Sequence, residues 1–569
     1  MFGRRPSTPG GGRSLRSHRS GSFSSRLGRQ HRSGSFGSHL TRTSTHHSQA
    51  SHHHFQEDDV APFREELYRE EEREEHPEGI TKEEEEKEKE AAMAADEVDP
   101  YLVRFEPNDP TNPRNFSFTK KWVLTAFLGL LCFNVAIGSS MPTGDLPGSA
   151  KKLGVSQEAI NLVVTLFVLG FGFGPVVFAP LSEVYGRYPV YVFSGFIYFI
   201  FTMACAVAPN LATLLAARMI AGLAASVPMT NMGGSLSDMW STEEKGNPMT
   251  IFSSVIYLGP SIGPVIGGAI SSGTNELDGW RYIYWTLFGF IGIVWIITLF
   301  HPETLGAAIL KRKARKLRKE TGDDRYIAPG EGEKMSIKAM AVVLLLRPVI
   351  LLFTEPIVLF FSLYLTLVYM LLYLLFFAYP IIFLEGHKFN DLQTGLMFIP
   401  LIVGILFSIV VTMFVVEPWT KRKVQERGTP RTPEDRLTIM FIGSVLLPCS
   451  LFALAWTSMP HVHWAAPMVT GLGTGMSFVM IYNAANSYLV DCYPKVAASA
   501  LAAKTLIRSM GGAAVPLFVE QMFHSMHNQW ALTLVAFVSL AMLPIPFFFH
   551  RYGPKYRAKS KYATGDDEK

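Results

Sequence analysis

Apolar stretches of about twenty residues, the length that crosses a bilayer core as a helix, recur twelve times along the chain. Six lie near 122–141, 159–181, 189–208, 210–232, 248–270 and 281–300. After a polar interval six more follow, near 354–383, 392–416, 438–457, 463–489, 497–520 and 530–549. Backbone polar groups in lipid must bond to one another, and a helix satisfies them within one segment. The pattern therefore predicts an all-α membrane protein with twelve transmembrane helices in two sets of six, residues 105–300 and 348–550. The lipid bilayer is its first expected partner. Residues 1–54, rich in Ser, Arg, His and Gly, and residues 56–98, dominated by Glu, cannot bury a core, so 1–98 is expected to be a disordered tail. No cleavable signal peptide is expected, because the first apolar stretch begins near Trp122.

Charge sets the direction of the spans. Lys and Arg collect on the cytosolic side of membrane proteins. The interval 301–347 carries Lys311, Arg312, Lys313, Arg315, Lys316, Arg318 and Lys319, and the loop after span eight carries Lys421, Arg422, Lys423, Arg427, Arg431 and Arg436. The loops on the other side hold chiefly Lys151, Lys152 and Lys388. Both termini, including the short tail 551–569, are thus expected in the cytosol. The chain has 569 residues, 48% hydrophobic, with a net charge of +4. Its four cysteines stand singly in or beside apolar segments and read as packing residues. Neither a nucleotide-binding loop nor metal-ligand spacing nor a nucleophile and base pair is evident. An enzyme, a metal site, a bound cofactor and a nucleic-acid partner are therefore not expected.

Four features carry chemistry. Span five holds Gly259, Pro260, Gly263, Pro264, Gly267 and Gly268. Glycines four residues apart share a helix face and let another backbone approach, while the prolines weaken the hydrogen-bond ladder. Between spans two and three stands Ala179-Pro-Leu-Ser-Glu-Val-Tyr-Gly-Arg-Tyr-Pro189, with Glu183, Gly186 and Arg187. Arg218 lies inside the apolar fourth span, where a cation costs at least a few kcal/mol and is functional by default. Lys504 and Arg508 sit one turn apart, hence on one face, in span eleven.

The Gly-Pro-x-x-Gly-Pro-x-x-Gly-Gly series resembles the fifth-helix signature of proton-coupled drug antiporters of the major facilitator superfamily. The 179–189 loop resembles the superfamily's cytoplasmic loop, with Ala179 in place of a glycine and Tyr188 in place of a basic residue. Further strings point to the fungal twelve-span drug:proton antiporters, a group that includes polyamine and multidrug exporters: Gly222 to Trp240, Gly279-Trp-Arg-Tyr, Pro302-Glu-Thr-Leu, Phe353-Thr-Glu-Pro-Ile-Val-Leu-Phe and Asn486-Ser-Tyr-Leu-Val-Asp-Cys-Tyr. The resemblance covers about residues 105–550. It implies the major facilitator fold of two six-helix bundles, a monomer in the plasma membrane, and export of a small-molecule substrate against protons. It further implies a latch at Glu183, Gly186 and Arg187, proton coupling at Arg218, and conformational switching through the span-five glycines and prolines.

In that fold spans one, four, seven and ten surround the substrate. Asn134, Glu355, Tyr364, Tyr369, Tyr482 and Asn486, with Lys504 and Arg508, are the cavity candidates; aromatic faces with a few amides suit amphipathic molecules. No carboxylate is expected at mid-membrane, and two cations there disfavour a polyamine. The leading expectation is efflux of amphipathic drugs, toxins or secondary metabolites, including glycolipids and organic acids. A polyamine exporter, a nutrient importer or uniporter of the same fold, and a membrane sensor signalling through its tail are the alternatives.

Overall fold

The computed structural model describes residues 101–241, 244, 246–274, 278–329, 331, 337–428 and 431–563. The tail expected over 1–98 and the last six residues of the tail 551–569 lie outside these. The first six long helices are α1 (Phe118–Ser140), α2 (Gln157–Tyr185), α3 (Arg187–Ala206), α4 (Leu211–Met239), α5 (Gly246–Ser272) and α6 (Gly279–Thr298). The second six are α7 (Pro356–Tyr379), α8 (Ile399–Val411), α9 (Thr438–Thr457), α10 (Ala465–Cys492), α11 (Ala497–Ala514) and α12 (Val519–Met542). Among the described residues eleven segments are long and apolar enough to cross a membrane; α11, where small residues flank Lys504 and Arg508, is not among them. The α12 geometry breaks at His527, with φ of 63°.

Local signals set the helix starts. Ser117, Ser156 and Asn210 cap α1, α2 and α4 by accepting from the backbone N–H of Lys120, Ala159 and Thr213. Gly186 joins α2 to α3 at φ 102°, a region that favours glycine. In the first bundle α2 packs on α4, α1 on α5, and α3 on both α4 and α6; in the second, α10 packs on α8 and α9, α7 on α11, and α9 on α12. The bundles meet along α2 with α11 and along α5 with α8 and α10. Close approach depends on missing side chains: a Cβ on Gly222 would strike the Phe167 carbonyl, and one on Gly404 the Leu472 carbonyl.

The interval between the bundles forms a basic helix, Gly306–Thr321, and a second helix, Ile337–Thr354. Lys313 of the first bridges to Asp109 at 3.1 Å. Hydrogen bonds from Thr111, then Lys313, hold the Asp109 carboxyl down at about 2. A parallel bridge, Leu102 with Ile327, ties the segment ahead of α1 to the same linker.

Candidate functional site

A cavity of about 780 Å³ lies between the bundles and opens at the end that carries the basic loops. Its mouth is lined by Glu183, Arg187, Glu244, Lys421, Arg431 and Asp491; its deeper wall by Phe171, Phe252, Ser253, Tyr482, Asn483, Asn486, Lys504 and Arg508. The volume is that of a small-molecule site. At 1.5 Å per residue, Lys504 is about 11 Å and Arg508 about 17 Å along α11 from its start at the basic end.

These two cations are 2% exposed each. Lys504 Nζ donates to Asn486 Oδ1 and, at 3.4 Å, to Tyr482 Oη. The Arg508 guanidinium sits 4.3 Å from the Tyr369 ring centre and 5.6 Å from that of Tyr482, whose edge packs on Tyr257 at 5.4 Å. Arg508 Nε and Nη1 have no hydrogen-bond partner. Among the described residues no ion pair joins a carboxylate to either cation. The paired acids stay at the mouth, Glu417 with Arg431 at 2.6 Å and Asp491 with Arg436 at 2.8 Å. Burying a charge is costly without a partner, and Arg508 keeps two donors unused in the wall.

The opposite end is closed by contact between the bundles. Ser271 Oγ donates to Asp391 Oδ2 at 2.8 Å, Leu392 N donates to Ser272 Oγ at 2.8 Å, and Asn161 Nδ2 donates to Glu520 Oε1 at 3.1 Å. The span-five motif divides between two tasks. Gly259, Gly263 and Gly267 face α1 and the turn after it, where a Cβ would strike Ala136, Ser140 and the Met141 carbonyl. Gly268 faces the second bundle, where a Cβ would strike the Asp391 carbonyl, and the backbone of Pro264 lies against Gly395. Pro260 and Pro264 are buried inside α5, which stays helical through both.

The loop between α2 and α3 is organised by a residue the sequence reading passed over as part of a string. Glu303 accepts from the backbone N–H of Arg187 at 3.0 Å and of Tyr188 at 3.3 Å, capping α3, and lies 3.7 Å from Arg312. Gly186 leaves the room it needs. Arg187 donates to Ser182 at 2.8 Å and faces Asp238 of α4 at 3.7 Å. Glu183 is exposed at the mouth, with no ion pair among the described residues. The acidic partner of Arg187 in this conformation is thus Asp238 and not Glu183. His301, just ahead, is buried against Phe127 and Tyr191, and burial pushes its pKa down to about 4.

The structure places Arg218 outside the cavity wall. Its guanidinium donates to the backbone carbonyls of Val163 at 3.1 Å, Gly138 at 3.0 Å and Ser139 at 3.5 Å, under the Phe167 ring at 4.1 Å. It joins α4 to α1 and α2. Of the cavity candidates, Tyr482, Asn486, Lys504 and Arg508 line the wall, and Tyr369 supports Arg508 from behind. Asn134 and Tyr364 are buried within their bundles, away from the wall. Glu355 is also absent from the wall: its carboxylate accepts from Tyr493 and Ser560, each at 2.8 Å. No sequence signal joined Glu355 to Ser560, which is far along the chain.

The family comparison agrees with this architecture. The model of the Major Facilitator Superfamily matches residues 126–516, and the chain belongs to that family of membrane transporters. It is 44% identical to the MFS-type transporter paaT of Penicillium rubens, over 82% of this chain and 84% of that one. It is 40% identical to polyamine transporter 3 of Saccharomyces cerevisiae, over 82% and 74%, and 38% identical to the efflux pump FUBT of Fusarium oxysporum, over 82% and 78%. The chain is therefore a multi-pass membrane transporter and not an enzyme.

Proposed function

We propose that this transporter exports amphipathic small molecules bearing an anionic or strongly polar group, in exchange for protons, across the plasma membrane of a fungal cell. The observation that carries the reading is the buried Lys504 and Arg508 pair in the cavity wall, with unpartnered Arg508 donors and all wall carboxylates at the mouth. Tyr482, Phe171 and Phe252 supply the apolar surface for the rest of the molecule. The basic loops support a cytosolic mouth and cytosolic termini, and on this reading cargo loads from inside. Export is supported by the Gly-Pro series of α5 and by the relative named as an efflux pump.

Polyamine export is the competing reading, supported by the relative named polyamine transporter 3. Coulomb energy separates the two. At an effective dielectric near 20, one charge pair at 4 Å is worth about 4 kcal/mol, so each cation repels a polyamine and attracts a carboxylate by roughly 1 to 4 kcal/mol.

The test is overexpression in a fungal strain lacking its own exporters, scored for resistance to spermine and to amphipathic weak acids. Protection against the acids but not spermine is expected. Arg508→Met should lower apparent affinity for an acid by roughly 10- to 1000-fold, with less effect on a neutral amphiphile. Robust spermine protection that Lys504→Asn leaves unchanged would return the polyamine reading to first place.

A further inference from the structure

The segment after α12 closes back over the basic end of the second bundle. The helix Pro544–Arg557 brings Arg557, 4% exposed, onto Glu434, also buried, with Nε to Oε1 at 3.1 Å and Nη2 to Oε2 at 3.2 Å. Three residues on, Ser560 Oγ donates to Glu355 Oε1 at 2.8 Å and accepts from the backbone N–H of Tyr562 at 3.1 Å and Ala563 at 3.0 Å. The other Glu355 oxygen accepts from Tyr493 at the end of α10. The Ser560 hydroxyl thus fastens the C-terminal segment to Glu355 at the start of α7, while Arg557 fastens it to Glu434 just ahead of α9.

The local sequence is Arg557-Ala-Lys-Ser560-Lys561. An arginine three residues ahead of a serine, with a lysine on either side of it, is the substrate spacing that the acidic cleft of a basic-directed serine kinase accepts. We propose that Ser560 is a phosphorylation site and that its modification releases the C-terminal segment from Glu355. The kinase transfers the γ-phosphoryl group of ATP: the Oγ–P bond forms, the bond from phosphorus to the β–γ bridging oxygen breaks, ADP leaves, and the hydroxyl proton passes to the kinase base. The phosphoserine carries about −1.5 to −2 charges. It removes the hydroxyl donor and sets that charge against a buried carboxylate whose remaining partner is Tyr493.

Docking also gates the reaction. Arg557, which the kinase must read, is buried on Glu434 while the segment is docked. The kinase therefore acts on the undocked segment, and the phosphate prevents redocking. The consequence reaches the cavity, because Tyr493 directly follows the helix that carries Tyr482 and Asn486 in the wall.

Limited trypsin digestion of the full-length protein in lipid nanodiscs tests the release, with cleavage at Lys555, Lys559 and Lys561 followed by mass spectrometry. Ser560→Glu should be cut roughly tenfold faster there than Ser560→Ala, which loses the hydroxyl without adding charge. Adding Glu355→Gln to Ser560→Glu should bring the rate back to within about twofold of Ser560→Ala, since it removes the repelling partner. Equal rates for Ser560→Glu and Ser560→Ala, or no recovery with Glu355→Gln, would overturn the proposal. Incubation of the wild-type protein with ATP and the catalytic subunit of cyclic-AMP-dependent kinase should label Ser560, more slowly than in a free peptide of residues 551–569. Absence of label at Ser560 in the protein would overturn it equally.

Discussion

Gly268→Leu is expected to cut transport to less than about a tenth of normal while the protein still reaches the membrane in ordinary amounts. The glycine hydrogen faces the Asp391 carbonyl across the junction between the bundles, where even a methyl group would collide. The neighbouring contacts, Ser271 with Asp391 and Leu392 with Ser272, close the end opposite the cavity mouth. Overpacking of this kind costs about 1 to 3 kcal/mol, which shifts a two-state equilibrium by roughly 5- to 150-fold. Because the strain falls only on the conformation with that end closed, the variant should settle in the opposite one and stop cycling. Gly263→Leu and Gly267→Leu behave differently, since their hydrogens face Ser140 and Met141 within one bundle. Their wedge is present in both conformations, so part of their loss should appear as reduced protein. Surface abundance and transport measured together separate these outcomes, and a Gly268→Leu protein that transports normally would remove the closed end from the cycle.

Arg218→Ala is expected to abolish transport, with much of the protein still at the surface. The side chain ties three backbone carbonyls of α1 and α2 to α4 and lies under Phe167. Removing it strips a buried donor from the carbonyls at the end of α1, at about 1 to 3 kcal/mol apiece, while Val163, inside α2, keeps its helical hydrogen bond. The α2–α4 seam has independent support, because Gly170 and Gly222 allow direct backbone approach, so the bundle should survive. Under the coupling role that the family resemblance implies for it, Arg218→Lys keeps the charge but loses the fork that spans Gly138 and Val163, and should transport far below normal. Normal efflux by Arg218→Ala would take the residue out of the mechanism. Loss of the protein itself, in place of its activity, would make Arg218 a structural tie alone.

Much of the fold was legible because lipid demands long apolar helices, and their expected ends fall within a few residues of α1 to α3, α5 to α7, α9 and α10, while α4 runs on to Met239, past the expected end near 232. The boundary of α12 was not, since the turn at His527 carries no proline or glycine to announce it. In the site, Lys504 and Arg508 were legible from four-residue spacing on one apolar helix, and the structure puts both in the cavity wall. The glycine face of α5 was legible as a face, but its partners were not: Gly267 and Gly268 are adjacent and touch different bundles. Glu355 was read as a cavity residue because span seven is one of the four that surround the substrate in the fold the resemblance implies. Its partners Tyr493 and Ser560 come from distant segments, and only the folded chain shows that the carboxylate is already used. Arg218 marks a further limit, since its partners are carbonyls, which every residue has.

The central claim, export of anionic amphiphiles against protons, is tested most directly in proteoliposomes containing the purified protein. Uptake of a radiolabelled amphipathic weak acid is followed with an imposed pH gradient, wild type against Arg508→Met, with labelled spermine in parallel. The account predicts acid transport that collapses when a protonophore dissipates the gradient, a loss of roughly tenfold or more in apparent affinity with Arg508→Met, and no spermine transport. Gradient-driven spermine transport that Arg508→Met leaves intact, with no transport of the acid, would contradict it.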